Sequence, residues 1–169
     1  MYGGKITNNH ATYSGSDINV KPSGGGVFLR EYSTFEMYGG EITGNTATYG
    51  GGVYCGAVIV FNTAEMILHG GKITGNTATY GGGVYFKDKA FQVTGKGKVT
   101  ITDNTGNGGK NVVLFDGKTI RVTGKLHDDT RIGVRSFHNP TDGNPITIAK
   151  ATDGGWIKKG NFTSDIPDY

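Results

Sequence analysis

One sixteen-residue phrase occurs twice, as GGEITGNTATYGGGVY at 39–54 and GGKITGNTATYGGGVY at 70–85, and this near-identity restricts the chain to a repeat architecture. The phrase also opens the chain as GGKITNNHATY at 3–13, resumes as GGGVF at 24–28 and decays to KVTITDNTGNGGKNVV at 98–113. Alignment of these four copies places Asn9, Asn45, Asn76 and Asn104 in one column and Val27, Val53, Val84 and Val112 in another. The asparagines recur at intervals of 36, 31 and 28 residues. A unit of about this length cannot bury its own apolar face, so it stacks on its neighbours as a solenoid or a propeller.

The residues inside the unit decide between these. Gly, Thr, Asn, Val, Ile and Tyr dominate, and runs of good helix formers at 3.6-residue spacing are missing. These are strand formers punctuated by Gly. Each unit reads as three short strands. The first carries Phe35 and Met37, Met66 and Leu68, Phe91 and Val93, and Ile120 and Val122; the second carries Ile6, Ile42, Ile73 and Ile101; the third carries the Val column. Alternation sends these residues to one side and Thr or charge to the other. Three strands per turn with Gly or Asn-Gly corners describe one coil of a parallel β-helix, right-handed by the general crossover preference. A propeller blade needs about 40–45 residues and hairpin turns. The expected fold is therefore all-β: a right-handed parallel β-helix of about four to five coils over residues 1–126. Residues 127–169 are expected to form a closing coil, a cap or a link to a further module.

Columns of like residues follow from the coil spacing, because equivalent positions in successive coils lie about 4.8 Å apart. An inward Asn column then forms a hydrogen-bonded ladder, and Asn9, Asn45, Asn76 and Asn104 are read as structural for that reason. Lys5, Glu41 and Lys72 share an outer column with alternating sign, a register aid rather than a site. Cys55 falls in the column of Leu29, Phe86 and Leu114 and is expected inside as an inert apolar filler.

Two features are candidates for binding. Phe28, Tyr54 and Tyr85 each follow an inward Val, so they predict an outward aromatic column that presents flat rings to a sugar face or a partner chain. The first copy also carries ten extra residues, SGSDINVKPS at 14–23, an insertion of the kind that projects from one face. Trp156 is a third candidate, either as a ligand contact or as a cover for the open end of the core.

Composition narrows the function classes. With 31 Gly in 169 residues and 35% hydrophobic content, a two-layer domain would be poorly supplied with core, whereas a thin one-dimensional core needs less. A net charge of +3 without a basic run argues against nucleic acid. No cofactor or metal motif is present, and no segment reads as a signal peptide or membrane span. Met1 falls in the column of Met37 and Leu68, so the first coil is entered part-way, and the chain is expected to belong to a longer parent protein.

The GGKI, GGEI and GGKI motifs followed by ITNN, ITGN, ITGN and ITDN resemble the GG-x-I and F-x-x-N repeats of polymorphic outer-membrane proteins. With Ile where that family carries Phe, they are more similar to the right-handed β-helix regions of large bacterial surface proteins of adhesin-like character. NVVLFDGKTIRVTGKL, RIGVRS and PTDGNPITIA resemble the closing coils of that second group. The resemblance implies an extracellular or bacterial cell-surface spacer or adhesion segment whose partner is a glycan or a host surface protein. It carries over no catalytic residue.

Two alternatives belong to other classes. Parallel β-helices include polysaccharide lyases and glycoside hydrolases, a likeness of fold alone. Hydrolysis needs facing carboxylates roughly 5–10 Å apart, and Glu31, Glu36, Glu41 and Glu65 do not align as such a pair. The second alternative is ice binding on the Thr columns Thr7, Thr43, Thr74, Thr102 and Thr12, Thr48, Thr79, against which the unequal coil lengths and the charged column argue. The expectation is a non-catalytic module.

Overall fold

A computed structural model describes residues 1–13, 21–56, 63–138, 141 and 145–165. The first coil contributes β1 (Lys5–Thr7) and β2 (Val27–Leu29). The second contains β3 (Thr34–Met37), β4 (Glu41–Thr43), β5 (Thr46–Tyr49) and β6 (Val53–Cys55). The third repeats it as β7 (Glu65–Leu68), β8 (Gly71–Thr74), β9 (Thr77–Tyr80) and β10 (Val84–Phe86). The fourth holds β11 (Ala90–Thr94), β12 (Val99–Thr102) and β13 (Val112–Leu114). The closing section holds β14 (Ile120–Lys125), β15 (Arg131–Ser136), β16 (Ala149–Trp156) and β17 (Phe162–Ser164).

All ladders between these strands are parallel. The chain winds as a right-handed parallel β-helix of about four turns. One face is the sheet β3-β7-β11-β14-β16; two others, β1-β4-β8-β12 and β2-β6-β10-β13, converge on β15. The register is the one expected from the repeats: Ile6, Ile42, Ile73, Ile101 and Ile132 stack in one column, and Val27, Val53, Val84, Val112 and Val134 in another. Inside, one apolar core runs the length of the array, with Phe86 and Phe91 its largest fully buried side chains. Cys55 lies in that core, where burial pushes its thiol up to about 12.

Three strands per coil is too few for the second and third coils. The Thr-Ala-Thr-Tyr segment, not counted among the three expected strands, forms its own short sheet in which β5 pairs with β9. Gly on the far side of that segment makes the fourth side possible. Gly50 and Gly81 both turn at φ +63, and a Cβ on Gly51 would lie 2.5 Å from the Thr77 carbonyl oxygen of the next coil. Only a residue without a side chain fits such an approach.

In the first coil the same side is interrupted. His10 bridges to Thr46 and Ser23 bridges to Tyr49, so the described residues on either side of the insertion occupy the two ends of one strand position. Residues 14–20 of it lie outside the described residues. The closing coil omits this side altogether. Ile101 and Val112 stand on separate sheets, yet their partners Ile132 and Val134 are two residues apart on the single strand β15. The solenoid thereby narrows, and the two converging sheets fuse.

The segment after residue 126 continues the stack. β16 lies on β14 through Ile120 and Ala149, and β17 lies on β15 through Ile132 and Phe162. Ile148, Ile157 and Phe162 pack against the end of the core. Among the described residues, no helix is long and apolar enough to cross a membrane.

Candidate functional site

The asparagine column is hydrogen-bonded from coil to coil and internal from Asn45 onward. Each side-chain oxygen accepts from the backbone and side-chain N–H groups of the Asn one coil earlier: Asn9 donates both to Asn45, Asn45 to Asn76, and Asn76 to Asn104, at 2.9–3.0 Å. The amides of Asn45, Asn76 and Asn104 also donate to the preceding coil's carbonyls of Ile6, Ile42 and Ile73. Asn45 and Asn76 are fully buried, whereas Asn9 is exposed. The buried side chains of the column are engaged with one another and with the backbone.

Two members of this column were missed in the sequence. Asn104 donates to Asn111 of its own coil at 3.1 Å, and Asn111 donates its backbone and side-chain N–H groups to Asp165 at 2.7 Å. Gly133 makes room, because a Cβ there would lie 2.3 Å from both Asn111 Nδ2 and Asp165 Oδ1. The signal available was the Asn immediately before Val112, which lies outside the main Asn column.

The predicted aromatic column is stacked but largely covered. Tyr54 pairs with Tyr85 at 5.9 Å between ring centres, and Phe28 follows Tyr54 at 5.1 Å. Tyr54 is 9% exposed and Tyr85 5%, because Tyr49 and Tyr80 of the fourth side fold over them and join Val113 in a second apolar cluster. Only Phe28, at 48%, presents a ring to solvent. Trp156 is equally open but does not cover the core end, where Ile157 and Phe162 sit instead. It lies on the outer face, with Lys125 Nζ 5.5 Å from its ring centre.

That face carries a cluster the sequence did not reveal. Tyr2, Tyr38 and His69 stack in successive coils, at 4.6 Å and 4.1 Å between ring centres. Tyr38 donates its hydroxyl to Glu36 at 2.7 Å, which lowers the Glu36 carboxyl pKa and pushes the phenol up to about 12. His69 is buried, its Nδ1 3.0 Å from Thr94 Oγ1 and its Nε2 3.6 Å from Glu36 without a hydrogen bond. Burial, with Lys96 nearby, lowers its pKa against the opposing pull of Glu36. Beyond His69, a groove of 460 Å³ continues over Gln92, Thr94, Lys96, Thr123 and Lys125. A larger hollow of 770 Å³ lies beside the end of the asparagine column, but Asn104, Asn111 and Asp165 there are bonded to each other.

These shifts set a pH dependence. A His whose folded pKa is depressed adds stability above its unfolded value of about 6.5 and loses it as pH falls through the folded value. Glu36 and Glu41 are also depressed, Glu36 chiefly by Tyr38 and Glu41 chiefly by Lys5 and then Lys72, so they add a second loss below 4.5. The melting temperature is expected to fall between about pH 7 and pH 5, and His69→Gln to flatten that portion alone. An unchanged slope in the variant would remove His69 from the account.

Glu41 sits between Lys5 at 3.1 Å and Lys72 at 3.4 Å, the alternating column expected from the repeats. Among the described residues, no group of three or more His, Cys, Asp or Glu side chains is placed to hold a metal ion. No protein-family model, curated protein or solved structure matches this chain.

Proposed function

We propose that this chain is a non-catalytic β-helix segment of a secreted or cell-surface bacterial protein, a rigid spacer whose outer surface adheres to a glycan or a host surface protein. The observation that carries the reading is the internal asparagine ladder running through successive coils in unbroken parallel register. It fixes every outer column relative to the next, so rings and charges on the surface are held in place before any partner arrives, which lowers the entropy cost of binding. The resemblance of the GG-x-I repeats to adhesin-like surface proteins supports the same reading.

The carboxylates favour a binding role over hydrolysis. Glu41 is held between two lysines and Glu36 by Tyr38, so both carboxylates are engaged within the chain and not paired with each other as hydrolysis requires. His69 Nε2 is buried, which takes the one imidazole of the cluster out of reach of a substrate proton.

Two measurements test the proposal together. The chain is expected to retain at least one member of a broad panel of glycans and host surface proteins while releasing no reducing ends or unsaturated products from plant and animal polysaccharides. Turnover of any polysaccharide would replace the adhesion reading with an enzymatic one. Failure to retain any member of the panel would leave a spacer without adhesion.

A further inference from the structure

The outer face of the sheet β3-β7-β11-β14-β16 breaks the charge rule followed elsewhere on the molecule. In the Lys5, Glu41, Lys72 column the sign alternates from coil to coil. Beyond the register partners Thr94 and Thr123 the two coils fall out of step, and Lys96 and Lys125 both line one groove there with like charge. Like charges that share one groove repel. Among the described residues neither ammonium has a carboxylate within ion-pair distance, although Glu36 is near enough to feel the charge of Lys96; Lys96 leans to within 5.9 Å of the Tyr38 ring centre and Lys125 to within 5.5 Å of that of Trp156. The two cations lean over different aromatic rings, and both line the groove.

We infer that this groove binds an acidic polysaccharide, one bearing carboxylate or sulfate groups on its sugar rings. The inference rests on the adhesion reading and names its ligand class. An anionic group seated between Lys96 and Lys125 relieves their repulsion, and two ammonium groups with no ion pair among the described residues, on a floor closed to one side by stacked rings, supply the charge complementarity. The exposed ring of Trp156 offers a flat surface to the C–H face of a sugar. Gln92 donates its amide to Thr123 at 2.9 Å, which leaves its amide oxygen to accept a sugar hydroxyl. Gly95 and Gly124 keep the stretch between the columns free of side chains. From Tyr38 to the Thr123 position the face spans three coil steps, about 14 Å, which suits an oligosaccharide rather than one ring.

Nucleic acid, the other polyanion with flat groups, fits less well. Its affinity rests on many phosphate contacts, and two lysines in a chain of net charge +3 provide few.

The test uses the whole chain against immobilised polygalacturonate (carboxylate), heparin (sulfate and carboxylate), neutral dextran and single-stranded oligothymidylate, at low and at physiological salt. Binding to one or both acidic polysaccharides and not to dextran is expected, and the two arms separate carboxylate from sulfate recognition. Lys96→Ala with Lys125→Ala should weaken it at least tenfold. Lys89→Ala with Lys110→Ala, which removes two exposed lysines elsewhere, should leave it within twofold. Because all four side chains are exposed, the fold is expected to survive, and unchanged melting temperatures check this. Absence of binding to either acidic polysaccharide, equal loss in both double variants, or tighter binding to the oligonucleotide would each overturn the inference. Retention of some other glycan or host protein without turnover would then still leave the adhesion reading standing. Turnover with intact acidic binding would do the reverse.

Discussion

Asn76→Ala is expected to destabilise the chain by about 3–5 kcal/mol in equilibrium urea denaturation. The fully buried side chain accepts from Asn45 N and Nδ2 and donates to the Ile42 carbonyl at 2.8 Å and to Asn104. Truncation leaves at least the Asn45 N–H and the Ile42 carbonyl without these partners, and each such buried group costs about 1–3 kcal/mol. Against a total stability of about 5–15 kcal/mol this is a large fraction. Asn9→Ala is the internal control: Asn9 is exposed and donates only outward to Asn45, so its loss should cost no more than about 1.5 kcal/mol. Equal costs at the two positions would sink the ladder as the source of stability.

Phe86→Ala is expected to cost about 3–5 kcal/mol, by the same measurement. Its ring is fully buried, meets Phe91 at 5.4 Å, and stacks in register between Cys55 and Leu114. The core of a solenoid is thin, and the coils above and below are held by their own backbone ladders, so it has little freedom to collapse into the cavity. A loss near 1 kcal/mol would mean that the neighbouring coils close on the space, contrary to the rigidity on which the adhesion reading depends.

Most of the register was legible because identical residues mark identical places. The Ile and Val columns, Met37 with Leu68, and the alternating Lys5, Glu41 and Lys72 all pair as the repeats align them. What escaped were features that depend on the path between columns. Thr46–Tyr49 and Thr77–Tyr80 alternate like strands, but four residues beside three glycines read equally well as a corner. Alternation correctly sent Tyr54 and Tyr85 away from the main core; it carried no information that Tyr49 and Tyr80 would fold over them.

The groove was hidden for a different reason. Tyr38, His69 and Thr94 occupy one structural column but differ in type, and Lys96, Lys125 and Trp156 come from coils in which the repeated phrase has decayed. Repetition reveals what every coil must do for stability. A binding surface departs from it wherever a partner requires a particular group, so it is found only once the coils are stacked.

The hydrogen bonds from amide to amide along Asn9, Asn45, Asn76, Asn104 and Asn111 all run in one direction, and the last amide donates to a carboxylate. Their dipoles therefore add head to tail, with the positive end resting on Asp165. This gives the rod a polarity in the sense that a magnet has one. A turn laid below Asn9 could extend the series with another asparagine, but the Asp165 carboxylate has no amide hydrogen to pass on, so beyond it the same rule of assembly stops.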